Sequence, residues 1–258
     1  MPLFLVNTGT YNQLFTDLKS ALGGAWVLFD AVSVDEEIYT VSQTPGGYSP
    51  VANPSFIRLF RDNALFSVTM TIYNSWDNIL HTGTFPIPTI DAVSRNILDF
   101  TSAIITAAYR IYIDANEGWI AVLHDGAGGL SSNTGYWIGV LQGRATPAAH
   151  PNPNAIFYKT SISADAAVDF LDQNLTPRNE AAAAFFNFNQ WTNSTEQHSG
   201  NSPLVSAFAW FGTTGVSVIA GIAKDFFQCS GGLAFGDTVT IAAAVHRVMR
   251  GGGYAILE

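Results

Sequence analysis

The 258-residue sequence has little cysteine and few charged side chains. Its one cysteine, Cys229, excludes an intramolecular disulfide and any metal site that needs two or more thiolates. Charged residues make up 12% of the chain, about half the share usual in soluble domains, whereas hydrophobic residues make up 48%. So few charged side chains can occupy only a small part of the surface of a monomer. We therefore expect much of the surface to contact other protein molecules. An ordinary, rather apolar secreted β protein is the alternative.

The chain also lacks the features of nucleic-acid-binding, exported and membrane proteins. The net charge is −9, and the 11 Lys and Arg form no basic run that could release counterions from phosphates. The first ten residues have no basic segment and too short an apolar run for a signal peptide. Residues 204–223 are uncharged and long enough to span a membrane, but the central Gly212-Thr213-Thr214-Gly215 favours two buried strands joined by a turn. We therefore expect neither nucleic acid nor membrane as a partner.

No pattern of catalytic or metal-binding residues stands out. The five histidines form no HxH or HxxxH pair, and His124 beside Asp125 is the best single candidate for a ligand or base, against the preferred interpretation of an ordinary loop histidine. The triplet Asp35-Glu36-Glu37 lacks the spacing of a calcium loop and indicates a solvated acidic turn. The GxGxxG, GK[ST] and GxSxG patterns are absent. We predict a protein that is not an enzyme and that has no catalytic, cofactor-binding or metal-binding residues.

One helix and many short strands are predicted from the apolar periodicity. Thr10 and Gln13 provide a capping box for a helix over 11–22, and Gly23-Gly24 is expected to end it. Antiparallel hairpins and a closing β region are predicted at four places: 56–73, 104–123, 204–222 and 239–257.

These elements predict a mainly β fold (β-rich α+β). Short, sequence-adjacent strands separated by turn residues favour an antiparallel sandwich or a partly closed barrel with a short N-terminal helix docked on it. Residues 76–90 are predicted to be irregular, and 164–171 and 180–186 are helix-prone. No repeat or clear linker occurs, so we expect a single β-rich domain over 1–258, with a possible subdivision near 160–203.

A proline-rich segment follows the strand predicted over 136–141. Each proline lacks an amide hydrogen and fixes φ at about −65°, so the connector 145–154 is stiff and extended before a strand resumes at 156–158. A pre-stiffened arm loses little entropy on binding, and we predict that this arm contacts a neighbouring subunit. The predicted interface residues are Arg144, Thr146, Pro147, His150, Pro151 and Pro153.

The arm and its preceding strand resemble a group of tailed-bacteriophage virion structural proteins. In that group, a strand with an aromatic residue and a glycine leads to Ala-Thr-Pro and then to a Tyr-Pro-x-Pro arm. Here Tyr136 and Gly139 lead to Ala145-Thr146-Pro147 and then to Pro151-Asn152-Pro153, with His150 where the group usually has tyrosine.

Two further segments, 56–73 and 245–254, are similar to the strand before the central section and to the closing hairpin of that group. The resemblance implies a non-enzymatic protein that assembles in many copies in the tail, neck or baseplate of a virion, inside the host cytoplasm. Its implied partners are copies of itself and neighbouring virion proteins. The resemblance implies no catalytic residues.

Two other functions stay open. The first is a receptor- or glycan-binding module of the same particle, in which exposed aromatic rings stack on sugars; its candidates are Trp76, Trp137 and Trp191, for each of which core or interface packing is the alternative. The second is a cell-wall hydrolase. It needs two carboxylates at a set separation in a cleft, and the sequence does not pair its acids.

Overall fold

The computed structural model describes residues 3–41, 55–87, 98–100, 102–124, 133–141, 154–160, 166–171, 177–181, 205–213, 216–228, 237–241, 243–248 and 254–258. The elements in chain order are β1 (Leu3–Gly9), α1 (Tyr11–Ala25), β2 (Val27–Ser33), β3 (Glu36–Val41), β4 (Ser55–Asp62), β5 (Ser67–Tyr73), β6 (Ser75–Asp77), β7 (Thr82–Thr84), β8 (Leu98–Asp99), β9 (Ala107–Asp114), β10 (Trp119–His124), β11 (Asn133–Val140), β12 (Asn154–Thr160), β13 (Ala166–Leu171), β14 (Pro177–Ala181), β15 (Val205–Thr213), β16 (Val216–Gln228), β17 (Thr238–Ile241), β18 (Ala244–Val248) and β19 (Tyr254–Leu257).

Helix α1 begins where the sequence predicts and ends later. The extended Thr10 caps it, and the Thr10 side chain accepts from the Gln13 amide at 3.5 Å. The helix continues through Gly23 and Gly24 to Ala25, so the predicted end at the glycine pair was wrong. A glycine in a helix costs only about 1 kcal/mol, and the buried Trp26, whose amide donates to the Leu22 carbonyl, fixes the end instead.

The strands form three antiparallel sheets and one small hairpin. The central sheet has the order β1-β9-β10-β11-β12-β13-β14, the N-terminal sheet has the order β2-β3-β4-β5-β8, and the C-terminal sheet has the order β15-β16-β19-β18-β17. Strands β6 and β7 pair with each other as a hairpin. The predicted mainly β fold, an antiparallel sandwich with a short N-terminal helix, is confirmed.

Strand β10 of the central sheet is buried on both faces, whereas the edge strand β1 exposes Phe4 and Val6. One face packs against α1 and the N-terminal sheet in the main hydrophobic core, where Ile120 and Val122 of β10 join Leu14 and Leu18 of α1. On the other face, Tyr112 donates its hydroxyl to Glu258, beyond the last strand of the C-terminal sheet, at 3.1 Å. All six residues of β10 are therefore buried.

The predicted hairpins within 56–73, 104–123 and 204–222 are present as β4–β5, β9–β10 and β15–β16. The helix-prone interpretation of 164–171 was wrong over 166–171, because pairing with β12 overrides local propensity there. Strand β14 begins at Pro177, at the edge of the sheet, where a proline removes no ladder bond. The prediction of an irregular 76–90 missed the β6–β7 hairpin.

Candidate assembly surface

The predicted arm leaves and re-enters the central sheet at paired residues. Its predicted interface residues, 144–153, lie outside the described residues. At its root, Val140 of β11 pairs with the buried Asn154 of β12. Asn154 Oδ1 accepts from Ser55 Oγ at 2.6 Å, and Asn154 Nδ2 donates to the Tyr73 carbonyl at 3.2 Å. These bonds to the N-terminal sheet fix the C-terminal end of the arm.

The tryptophan candidates for glycan binding do not form an open aromatic platform. Trp137 is fully buried and stacks on Trp119 with 6.4 Å between ring centroids, so it takes part in core packing, the alternative to sugar binding. Trp76 is half-buried, with its indole N–H donating to Asp30 at 2.8 Å and its ring against the edge of Tyr73. Trp191 lies outside the described residues.

The acidic triplet is paired with cations rather than solvated. The three pairs are Asp35 with Arg61, Glu36 with Arg58 at 2.5 Å, and Glu37 with Lys19 at 2.6 Å. The hydrogen bond from Arg61 holds the pKa of Asp35 below its ordinary value. Only Asp35 belongs to the turn, since β3 begins at Glu36. The triplet therefore joins α1 and β4 to the β2–β3 turn, which corrects the prediction of a solvated acidic turn.

Among the described histidines, only His81 is exposed. His124 is fully buried in the central strand β10, which corrects the interpretation of a loop histidine. His246 is buried in β18, and its Nδ1 lies 3.2 Å from the Val239 carbonyl oxygen. No group of three or more potential metal ligands occurs in the part of the chain that the structure describes.

Asp30 joins the edge strand β2 to the β6–β7 hairpin. Its buried carboxylate accepts from Trp76 Nε1, and the same oxygen lies 2.8 Å from His81 Nδ1. The backbone of His81 is left-handed, with φ of 52°, a conformation that costs a non-glycine residue about 1 kcal/mol or more. A carboxylate that holds an imidazole fixes its orientation. Here that bond sets the position of the hairpin tip beside β2.

The tip of the hairpin is held by hydrogen bonds and exposes two apolar side chains. Asp77 Oδ1 accepts from the amides of Ile79 and Leu80 at 2.8 and 3.0 Å, and these bonds lower the pKa of the Asp77 carboxyl. Strand β7 passes so close to Tyr73 that a Cβ on Gly83 would lie 2.2 Å from the tyrosine ring. The hairpin is thus packed on the N-terminal sheet, while Ile79 is 83% and Leu80 69% exposed.

Strand β2 adds exposed apolar side chains next to this tip. Val27 is 72% exposed, and Leu28 and Phe29 are also exposed, although the Phe29 ring touches Phe56. Strand β2 ends the order of the N-terminal sheet, so within the described residues its outer edge has no paired strand. We call this set of residues the β2 surface: Val27, Leu28, Phe29, Ile79 and Leu80.

The β2 surface carries almost no charge. Segments 27–33 and 75–84 contain three titratable side chains, Asp30, Asp77 and His81, and no Lys, Arg or Glu. Asp30 is buried and bonded to His81, and Asp77 accepts two amide hydrogen bonds. Edge strands of monomeric proteins are usually protected by charged side chains. The exposed start of β2 lacks that protection.

The sequence did not lead us to Asp30 and His81. A single acid inside the apolar strand 27–33 is a signal, because a buried carboxylate needs hydrogen-bond partners. The partners lie 46 and 51 residues away, so only the fold reveals them.

No described helix is long and apolar enough to cross a membrane. In comparisons with known proteins, no family model matches the chain, and no curated protein matches it.

Proposed function

We propose that this chain is a non-enzymatic structural protein of a tailed-phage virion that works by packing against copies of itself and neighbouring virion proteins. The observation that carries the proposal is the β2 surface, in which exposed apolar side chains stand on a backbone that hydrogen bonds of Asp30 and Asp77 hold in place. The proposal that the particle is a phage virion, and that the chain lies in its tail, neck or baseplate, rests on the resemblance of the 136–153 segment to tailed-phage structural proteins.

The energetics favour association through such a surface. Burying a Val, Leu, Ile or Phe side chain contributes about 1.5–3 kcal/mol, so a contact that covers several of them can offset the entropy lost on association. Asp30 and Asp77 fix the strand edge and the hairpin tip before binding. A surface that is already ordered loses less entropy when it binds.

The proline arm supports the same function. The strands that flank it are paired at Val140 and Asn154, so the segment between these two residues begins and ends at one place on the central sheet. Asn154 is held by the N-terminal sheet, which gives a fixed base for a stiff segment that reaches a neighbour. The arm and the β2 surface would serve two different contacts of one assembly.

The alternatives have less support. Trp137 is buried in the core and cannot stack on a sugar. The indole N–H of Trp76 already donates to Asp30. A hydrolase requires two carboxylates at a set separation in a cleft, and the carboxylate of Asp30 instead joins two structural elements through His81 and Trp76.

The experiment compares the full chain with a variant that lacks residues 148–153. We expect the full chain to form multi-copy assemblies in sedimentation velocity and electron microscopy, and the variant to stay folded by circular dichroism and fail to assemble. A variant that assembles like the full chain would contradict the role of the arm. Hydrolysis of cell-wall polysaccharide by the full chain, lost in His81→Gln, would contradict the non-enzymatic function.

A further inference from the structure

We infer that two copies of this chain pack through the β2 surface about a two-fold axis, with the outer edge of β2 in one copy against β2 of the other. The inference rests on the proposed function and adds to it the identity and symmetry of one contact. The occupant of the surface is therefore a second copy of the chain.

The first argument is the strand edge. The outer edge of β2 has unpaired backbone donors and acceptors among the described residues, and such an edge is a template for another strand. Two identical edges related by a two-fold axis run antiparallel, which matches the antiparallel pairing of β2 with β3 on its other side. The register irregularities of β2 follow Leu28, so the exposed Val27 and Leu28 precede them.

The second argument is charge. In a two-fold contact, a charged side chain near the axis faces its own copy, so an exposed charge there repels itself. Strand β2 has one titratable residue, Asp30, whose carboxylate is buried and bonded to Trp76 and His81, and the exposed carboxylate of the surface, Asp77, lies on the hairpin and not on the β2 edge. An uncharged apolar edge suits its own copy and gives no attraction to a basic or acidic partner.

A comparison with edge strand β1 shows why we place the contact between copies at β2. Strand β1 also ends its sheet and exposes Phe4 and Val6. Val6 is paired with Arg110, and Glu258 lies 3.5 Å from Arg110. Self-contact at β1 would bring these charges near their copies, whereas Val27 and Leu28 of β2 are paired with the uncharged Thr40 and Tyr39.

The hairpin tip enlarges the contact. His81 follows Leu80 directly, and Asp30 follows Phe29 directly, so the His81–Asp30 bond places the tip beside the middle of β2. Each copy therefore presents a strand edge and two further apolar side chains, Ile79 and Leu80. A two-fold axis uses the same elements on both sides, as a self-complementary patch requires.

The first test is the mass of the full chain by sedimentation equilibrium over a range of concentrations. We expect a dimer whose dissociation constant rises at least about 100-fold in Val27→Lys, because two lysines then face each other. The matched control is Val34→Lys, at a residue 78% exposed in the β2–β3 turn, which should leave the dimer intact. A Val27→Lys variant that associates like the parent would overturn the inference.

The second test addresses symmetry. Val27→Cys, Leu28→Cys and Phe29→Cys are made singly in a Cys229→Ser chain and oxidised at a concentration where the parent is dimeric. Near a two-fold axis a residue meets its own copy, so we expect at least one of the three to form a disulfide-linked dimer rapidly. Ile104→Cys, at a residue 85% exposed outside the β2 surface, is the control and should not. Dimers in solution without any such crosslink would overturn the two-fold contact through β2.

The two proposals can fail separately. If Val27→Lys assembles normally while deletion of 148–153 abolishes assembly, the β2 contact is wrong and the proposed function stands. If the full chain stays monomeric at every concentration and deletion of the arm changes nothing, both are wrong.

Discussion

Strands β2 and β10 have similar apolar sequences and opposite surroundings. β10, WIAVLH, lies in the middle of the central sheet with all six residues buried, whereas β2, VLFDAVS, lies at a sheet edge and exposes Val27, Leu28 and Phe29. The N-terminal sheet and α1 cover one face of β10, and the residues on its other face are buried as well. Both strands have apolar side chains that are more stable when they are removed from water. The position of each strand in its sheet decides whether residues of the same chain bury those side chains.

The two strands should therefore contribute to different equilibria. Apolar side chains of β10 stabilise the folded monomer, because folding removes them from water. Apolar side chains of β2 stay in water until a partner covers them. Substitutions in β10 should change the free energy of unfolding, and substitutions in β2 should change association.

The largest effect is expected from Trp119→Ala in β10. Trp119 is fully buried and stacks on Trp137, so we expect its truncation to lower the free energy of unfolding by about 3–5 kcal/mol. Urea denaturation measures the change. Val27→Ala in β2 is the control, and a comparable loss in both variants would contradict the contrast between the strands.

A smaller effect is expected from Gly139→Ala, beside the same tryptophan. An added Cβ would lie 2.5 Å from Trp119 Cβ and 2.6 Å from the Gly118 carbonyl oxygen, so we expect overpacking to cost about 1–3 kcal/mol. Gly24→Ala in α1 is the matched control, because nothing lies within 4 Å of its added Cβ. The control should be neutral or stabilising by up to about 1 kcal/mol. Equal thermal stability of Gly139→Ala and the parent would refute the packing argument.

A third prediction concerns Glu258, which joins the C-terminal sheet to β9. Glu258 accepts from Arg247 at 3.0 and 2.6 Å and from the Tyr112 hydroxyl at 3.1 Å. Burial alone would raise the pKa of Glu258, but these bonds and the nearby arginines lower it below the ordinary 4.5. We expect Glu258→Gln to lower the free energy of unfolding by about 1–3 kcal/mol at neutral pH.

The pH dependence of this effect has a definite sign. Because the pKa of Glu258 is lower in the folded chain than in the unfolded chain, its contribution is present above pH 4.5 and is lost as the pH falls through the folded value. The parent and Glu258→Gln should therefore converge in stability in acid, as measured by urea denaturation across pH. A difference that persists unchanged below the folded pKa would contradict the ion-pair argument.

The smallest effect on folding is expected from Val27→Ser. The side chain is mostly exposed, so we expect the free energy of unfolding to change by no more than about 0.5 kcal/mol. Self-association should weaken, because the serine removes apolar area from the contact. Urea denaturation of the dilute monomer and sedimentation of the concentrated protein separate the two effects. A large loss of monomer stability would show that β2 belongs to the core.

Local signals predicted local structure well. The cap at Thr10 and the hairpin within 56–73 depend on features within a few residues, and the structure bears out both. Pairings between distant residues have no such signal. No local pattern predicted that β1 pairs with β9. No local pattern predicted that residues 166–171 pair with β12, which overrides their helix propensity.

The candidate site was harder to predict than the fold, for the same reason. The exposure of Val27 and the burial of Val122 follow from positions in two sheets, and their side chains are identical. The partners of Asp30 are likewise supplied by a hairpin far along the chain. The predicted arm residues, 144–153, stay a prediction.

The most direct test of the account is amide hydrogen exchange of β2 and β10 at low and high protein concentration. We predict that the β10 amides are protected at both concentrations, because folding alone buries them. The β2 amides at 27–29 that point away from β3 should exchange rapidly when dilute and become protected when concentrated, as a second copy covers the outer edge. If the β2 amides exchange at the same rate at both concentrations while the protein is demonstrably associated, the β2 surface is not the contact.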